Sequence, residues 1–183
     1  MWVPFEQLPA TARLWVFTSP VPLDTDLIHP ALQTFVQSWT AHRQDLRASG
    51  SLYQGYFILL AVDESHTAAS GCSIDKATHF MQDLGQRLNL NFLEKRRYFY
   101  RKEDQSINAV GSQTIQAVNH QPIQAVDHQP IQAVDHQTMQ AAVQDGRVNP
   151  TTLVADTLVS KVGDLDRFWL PFGESWHRRL FGL

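Results

Sequence analysis

Residues 56–62 read YFILLAV and lead directly into residues 63–75, which read DESHTAASGCSID. The first stretch is apolar throughout, and such a run predicts a central strand that is buried on both faces. After the second stretch, apolar residues recur at the spacing of one helical face: Ala77, Phe80, Met81, Leu84 and Leu88. Ser73 or Asp75 can supply the oxygen that caps this helix. The sequence therefore predicts a strand, a turn and a helix that follows Cys72.

Two further elements are predicted on the N-terminal side of this unit. Residues 13–18, RLWVFT, are rich in aromatic and β-branched residues, which predicts a first strand. Apolar residues between positions 27 and 39 form one wide helical stripe. Asp24 or Asp26 can cap this helix, and Pro30 is expected in its first turn, where proline is tolerated.

The C-terminal side gives weaker patterns. Residues 97–101 fit a third strand, whereas residues 151–159 fit either a strand or a helix. The aromatic tail, residues 168–181, is expected to pack back on the core. The order of elements predicts an α+β fold, in which a small three- to four-stranded sheet is covered by two main helices.

A unit of eight residues repeats between positions 107 and 146, reading INAVGSQT, IQAVNHQP, IQAVDHQP, IQAVDHQT and MQAAVQDG. Eight residues advance a helix by about 80° beyond two turns, so the isoleucines would not form a stripe. In a strand, the Ile and Val of each unit would lie on opposite faces, and Pro122 and Pro130 interrupt either structure. We therefore predict that residues 107–146 form an irregular or disordered insertion, with short helical turns broken by proline, in a single domain made of residues 1–106 and 147–183. At its end, residues 139–144 fit a short helix ended by Gly146.

Composition narrows the possible classes of protein. The 183 residues support one domain, and 43% hydrophobic with 18% charged residues are typical of a globular chain. The formal charge of -3 argues against attraction to nucleic acid or to an anionic membrane. The single cysteine excludes a disulfide framework. The N-terminal sequence lacks the pattern of a signal peptide, and no apolar run is long enough to span a bilayer, so we expect a cytoplasmic protein.

Cys72 is the first candidate for chemistry, together with Ser73 and Asp75. A thiol at a helix N-terminus lies near the positive end of the helix dipole, which favours the thiolate. His66 or His79 could act as the base, and Asp63 or Asp75 could orient it: these are the possible partners of a catalytic thiol. The alternative is that Cys72 is a small buried hydrophobic residue in a tight turn. Ser70 and Ser73 are explained by capping and turn formation.

Two other groups carry weaker signals. Basic residues surround three aromatic residues in positions 95–102, KRRYFYRK, which could bind RNA or could form an edge strand protected by charges. His120, His128 and His136 recur through the repeat. Such recurrence is only a weak, compositional signal for metal binding, so no metal site is predicted. No phosphate-binding glycine loop or dinucleotide fingerprint is present in the sequence.

The segments LPATARLWVF, LLAVDESHTAASGCSID and ESWHRRLF together resemble an uncharacterised family of small bacterial proteins. The resemblance covers the chain on both sides of the repeat. It implies a bacterial protein and emphasises Cys72, Ser73, Asp75, Trp176 and His177. Members often carry the label ABC transporter ATPase, but the nucleotide-binding glycines and lysine of such proteins are missing here.

The sequence favours a small protein that binds an unidentified protein partner or small ligand. The alternative is a thiol-dependent enzyme, for acyl transfer or hydrolysis, with Cys72 as nucleophile. A third hypothesis is RNA binding through residues 95–102. No cofactor is predicted.

Overall fold

The computed structural model describes residues 1–101 and 130–182. The first part of the chain forms β1 (Arg13–Thr18), α1 (Thr25–Gln37), β2 (Thr40–Ala41), β3 (Gln44–Asp45), β4 (Arg47–Tyr53), β5 (Phe57–Asp63) and α2 (Gly71–Leu88). The second part forms β6 (Tyr98–Arg101), β7 (Ile131–Val134), α3 (His136–Gln144), β8 (Leu153–Ala155), β9 (Trp169–Pro171) and α4 (His177–Phe181).

The predicted apolar strand is the centre of the first sheet. This sheet is antiparallel, with the order β1-β5-β4. All seven residues of β5 are buried, because consecutive side chains point to opposite faces and both faces are covered. One face of β5 packs against α1 and α2, through Ile58, Leu60 and Val62. The opposite face contributes Phe57, Leu59 and Ala61 to a second cluster.

The second sheet packs against that opposite face. It is also antiparallel, with the order β7-β6-β8-β9. Phe99 of β6 points into the cluster between the sheets, whereas Tyr98 and Tyr100 point to the outer side, where α3 and α4 lie. The described residues therefore form four layers, with a pair of helices on each outer side and two sheets between them.

The sequence correctly predicted the class and most elements of the first half. The α+β class, the strand at residues 13–18 and the central position of β5 are confirmed. Phe168, Phe172 and Phe181 are buried, as expected for a tail that packs on the core. The prediction of one sheet with three to four strands is incomplete, because the structure stacks a three-stranded sheet on a four-stranded sheet. Within residues 151–159, the ambiguous segment forms a strand, β8.

The two main helices differ from the prediction in details of their first turns. Asp24 caps α1, as one of the two predicted candidates, but Pro30 lies in the second turn and not in the first. Ser70 caps α2 by accepting from the backbone N–H of Ser73, so the prediction of Ser73 or Asp75 as the cap is wrong. Because α2 begins at Gly71, Cys72 lies within its first turn and not before it.

The prediction of an irregular insertion over residues 107–146 is wrong for residues 131–134, whereas the short helix predicted at residues 139–144 is confirmed as part of α3. Residues Ile131–Val134 form β7, and His136–Gln144 form α3, whose Met139, Ala142 and Val143 are buried in the outer cluster. Residues 107–129 lie outside the described residues. None of the described helices is long and apolar enough to cross a membrane.

The repeat unit that forms β7 differs from the two preceding units in its last residue and in the sequence that follows it. Asp135 caps α3 by accepting from the backbone N–H of Thr138 at 2.8 Å. In the two preceding units, Pro122 or Pro130 stands where this unit has Thr138, and proline has no N–H to donate. A shift of α3 by one unit would also place Asp135 at the buried position of Val143, at the cost of burying a charge. Thr138, the last residue of the unit, and the helical residues after it therefore determine which copy forms the strand.

Two deletions of equal length test this explanation. Deleting residues 123–130 leaves IQAVDHQT before Met139, whereas deleting residues 131–138 leaves IQAVDHQP, so the two chains differ by one residue. We expect the second chain to be less stable by about 1–2 kcal/mol, because proline removes the capping N–H and disfavours helix at the preceding residue. The free energies of unfolding in urea provide the measurement. Equal stabilities would show that the Asp135 cap does not select the unit.

Candidate functional site

The three predicted catalytic residues lie in the first turns of α2, but they do not share one surface. Cys72 and Asp75 are exposed, whereas Ser73 is buried. The Ser73 hydroxyl donates to the carbonyl of Ser70 at 2.8 Å, and the Ser73 carbonyl accepts from the indole N–H of Trp39 at 2.8 Å. Ser73 therefore fastens the helix start to the core, and only Cys72 and Asp75 are accessible to a reactant. The alternative of a buried Cys72 is wrong.

Within the described residues, the groups that could activate the thiol are engaged elsewhere or make no hydrogen bond to it. The carboxylate of Asp63 accepts from Arg47 at 2.7 Å and from the backbone of Ser65 at 3.0 Å. Burial opposes ionisation of Asp63, but the bonds from Ser65 and Arg47 outweigh it and lower the pKa. His66 and His79 are exposed and make no hydrogen bond to Cys72. Within residues 1–101 and 130–182, no three His, Cys, Asp or Glu residues are grouped so as to hold a metal ion.

Trp176 and His177, emphasised by the resemblance, lie together at the start of α4. Their rings are stacked with centroids 3.8 Å apart. The Trp176 indole N–H donates to Asp156 at 3.1 Å, and Nδ1 of the buried His177 lies 3.2 Å from the Ser175 hydroxyl. Since that hydroxyl donates to the carbonyl of Phe172, it is available to accept from Nδ1–H.

These contacts favour a structural role for His177. Burial lowers its pKa to about 4, against the opposing field of Asp156, so the ring is neutral at pH 7. Ser175 is buried as well, so the serine–histidine pair is closed to a substrate. Cys72 belongs to the outer helical layer on the first sheet, and His177 to the outer helical layer on the second. The fold thus separates the two segments that the resemblance emphasised.

Of the predicted basic and aromatic segment 95–102, residues Tyr98–Arg101 form β6, which is an interior strand and not an edge strand, and Lys102 lies outside the described residues. β6 pairs with β7 on one side and with β8 on the other, and its four residues are buried. The predicted edge strand is therefore wrong. Because Tyr98 is 6% exposed and Tyr100 is 5% exposed, β6 offers no open aromatic surface on which bases could stack.

A groove of about 830 Å³ opens where the beginning of β6 meets the end of β7, and we name it the Arg97 groove. Tyr98 pairs with Val134 in the sheet, and α3 begins immediately after β7. The apolar part of the wall is formed by Pro20, Ala133, Val134 and Leu180. The polar part is formed by Glu94, Arg96, Arg97, Tyr98, Asp135, His136 and Gln137.

Arg97 is held in place by backbone carbonyls. Its NH1 nitrogen donates to the carbonyl of Thr18 at 3.2 Å and to the carbonyl of Asn91 at 3.3 Å. Thr18 ends β1 and Asn91 follows α2, so the half-buried guanidinium bridges two layers. The remaining N–H groups of the planar fork are available to a ligand.

Tyr98 and His136 form the polar end of the groove beside α3. The Tyr98 hydroxyl lies 3.4 Å from Nδ1 of His136, which is exposed in the first turn of the helix. Burial raises the pKa of Tyr98, against the opposing field of Arg96, so its hydroxyl remains protonated at neutral pH. Phe181 of α4 lies against both rings, at 4.9 Å from each centroid. The two groups can therefore present hydrogen-bond donors and acceptors from fixed positions.

The sequence analysis included Arg97 and Tyr98 among candidate residues for RNA binding, but the fold does not expose the aromatic surface that such binding needs. It also treated His136 as one copy of a repeated residue. The missing signal is the pairing of Tyr98 with Val134, two residues that lie 36 positions apart and are separated by the repeat. The sequence nevertheless distinguishes the last IQAV unit from the earlier ones, because only the unit ending in Thr138 is followed by residues that suit a helix.

The fold and the groove define a four-layer α+β protein with an open, mixed polar and apolar groove at one end of its second sheet. No protein-family model, curated protein or solved structure matches the chain.

Proposed function

We propose that this protein binds a small ligand in the Arg97 groove. The observation that carries the proposal is the combination of an apolar wall with a carbonyl-anchored arginine in a groove of about 830 Å³. Ligand sites in proteins have volumes of roughly 300–1,000 Å³ and place a few oriented polar groups in a mainly apolar surface. Ligand binding agrees with the function that the sequence favours.

A second groove, of about 610 Å³, lies at the C-terminal end of α2. Its polar wall consists of the amide side chains of Gln82, Gln86, Asn89 and Asn91, and no charged side chain lines it. Charged groups and rigidly held donors give a ligand site orientation and specificity. The Arg97 groove is therefore the better candidate.

The thiol-enzyme hypothesis has less support from the geometry. Cys72 is exposed, as a reactive thiol must be, but within the described residues neither His66 nor His79 makes a hydrogen bond to it. The family suggested by the resemblance stays a proposal, and it adds no reaction.

A tryptophan that fills the groove tests the proposed site. Gln137 is exposed on α3 and lines the groove, whereas Gln144 is exposed on the same helix and lies outside it. We expect fragments of about ten heavy atoms to shift the amide NMR signals of residues 94–98 and 133–137. These shifts should persist in Gln144→Trp and disappear in Gln137→Trp, because only the second substitution occupies the volume. A fragment panel that leaves these signals unchanged, or that binds both variants equally, would contradict the proposal.

A further inference from the structure

The charge balance of the Arg97 groove leaves its arginines without acidic partners. Neither Arg96 nor Arg97 forms an ion pair with a carboxylate of the described residues. Burial lowers the pKa of Arg97, although the nearby Glu94 acts in the opposite direction. A half-buried guanidinium that lacks a carboxylate partner gains from an anion that replaces lost solvation.

The two acids of the groove are already engaged by backbone N–H groups. Glu94 accepts from the backbone of Arg96 at 2.8 Å, and Asp135 accepts from the backbone of Thr138 at 2.8 Å. The bond from Thr138 is the first cause of the lowered pKa of Asp135, which remains charged as the cap of α3. These bonds hold each carboxylate at its own loop or helix, and neither carboxylate forms an ion pair with Arg97, although the field of Glu94 acts on it.

The apolar wall lies on the same groove as these donors. Leu180 is 46% exposed on α4 and lines the groove together with Pro20 and Val134. Covering this surface with the apolar body of a ligand would strengthen binding, because apolar area would be removed from water. An ion that is polar on all sides would leave this wall exposed.

From this arrangement we propose that the ligand is an organic anion, a carboxylate or a phosphate monoester with an apolar body. Its charged group is bound by Arg97, with Arg96 and His136 alongside, and its body lies against Val134 and Leu180. The proposal rests on the proposed function and adds the chemical class of the ligand. Planar pairing of guanidinium with carboxylate or phosphate oxygens makes arginine suited to either anion.

Matched probes separate charge from shape. We would titrate the protein with benzoate, benzamide, phenyl phosphate and inorganic phosphate at low ionic strength, following the amide signals of residues 94–98 and 133–137. We expect benzoate or phenyl phosphate to bind at least tenfold more tightly than benzamide, and more tightly than inorganic phosphate. Added salt should weaken the binding of the anions, since screening reduces charge attraction at an open site.

Arginine variants then test whether the groove residues bind the charged group of the ligand. Arg97→Gln should weaken the preferred anion at least tenfold and leave benzamide unchanged, and Arg87→Gln, at an exposed site on α2, should change neither. Arg96→Gln provides a second test at an exposed position that should not disturb folding, and it should weaken the anion as well.

The outcomes distinguish this inference from the proposed function. If benzamide shifts the same signals as strongly as benzoate, the groove binds ligands but the assignment to anions is wrong. If the anions shift signals elsewhere, or if Arg97→Gln and Arg96→Gln both bind them normally, the assignment is also wrong. If neither these probes nor a neutral fragment panel shifts the groove signals, the proposed function fails too.

Discussion

Replacing Phe57 with alanine should lower the free energy of unfolding by about 3–5 kcal/mol, as is usual for a fully buried phenylalanine. Phe57 is fully buried at the start of β5, between the two sheets. Its ring centroid lies 4.7 Å from that of Phe99 and 4.8 Å from that of Phe168, both in edge-to-face geometry. Trp169 and Tyr53 lie slightly farther away, at 6.1 Å and 6.2 Å. Alanine would remove the ring from the middle of this cluster and leave a cavity.

A leucine at the same position is the matched control. Phe57→Leu keeps most of the apolar volume and loses the aromatic contacts, so its cost should be clearly smaller, about 1–1.5 kcal/mol. Urea denaturation followed by both tryptophan fluorescence and far-UV circular dichroism gives the two values. Coincident transitions are expected, because the sheets share this cluster and should unfold together. A loss below about 1 kcal/mol in Phe57→Ala would mean that the sheets do not pack across this ring.

The first half of the fold could be predicted because its signals are local. β5 is apolar at nearly every position, and α1 and α2 carry stripes at helical spacing, so each element is specified by its own residues. The start of α2 was misplaced by a short distance, since Ser70, Ser73 and Asp75 are all good capping residues. Only the fold decides that the Ser70 side chain accepts from Ser73.

The second half depends on pairings that local patterns do not contain. The segment IQAV occurs three times, and its own sequence cannot indicate which copy joins β6. β6 was interpreted as a charged edge strand because Arg96, Arg97 and Arg101 stand near its aromatic residues. In the fold, Arg101 is buried with its guanidinium over the ring of Trp169, at 4.4 Å from the centroid. That contact joins residues 68 positions apart, so spacing along the chain could not show it.

Single residues of the candidate site could be predicted from the sequence, but their arrangement as a groove could not. Arg97 was noticed for its charge, and Cys72 for its place at the start of a helix. The groove exists because β1, the loop after α2, β6 and α3 meet at one point, which brings Thr18, Asn91 and His136 near Arg97. A lone cysteine is easily noticed in a sequence, whereas a groove formed by four separate segments has no sequence pattern.

Acid should destabilise the protein through His177, and the sign follows from its lowered pKa. Burial lowers the pKa of this group to about 4 in the folded state, whereas an unfolded histidine titrates near 6.5. Between these values the unfolded chain binds a proton that the folded protein does not bind. The stabilising contribution is therefore complete above about pH 6.5 and is lost as the pH falls towards 4.

Between pH 7 and pH 4.5 this effect amounts to about 2–3 kcal/mol, since each pKa unit corresponds to about 1.4 kcal/mol. His177→Gln removes the titrating group and keeps a side chain that can hydrogen-bond to Ser175. His29→Gln, at an exposed position on α1, is the control. Urea denaturation at both pH values should show that the wild type and His29→Gln lose about 2–3 kcal/mol more than His177→Gln does. The lowered pKa of Asp63 adds its own loss in acid, but that loss is common to all three proteins and cancels in the comparison. An equal loss of stability in His177→Gln would contradict a neutral, buried histidine. It would mean that His177 has the same pKa in the folded and unfolded states.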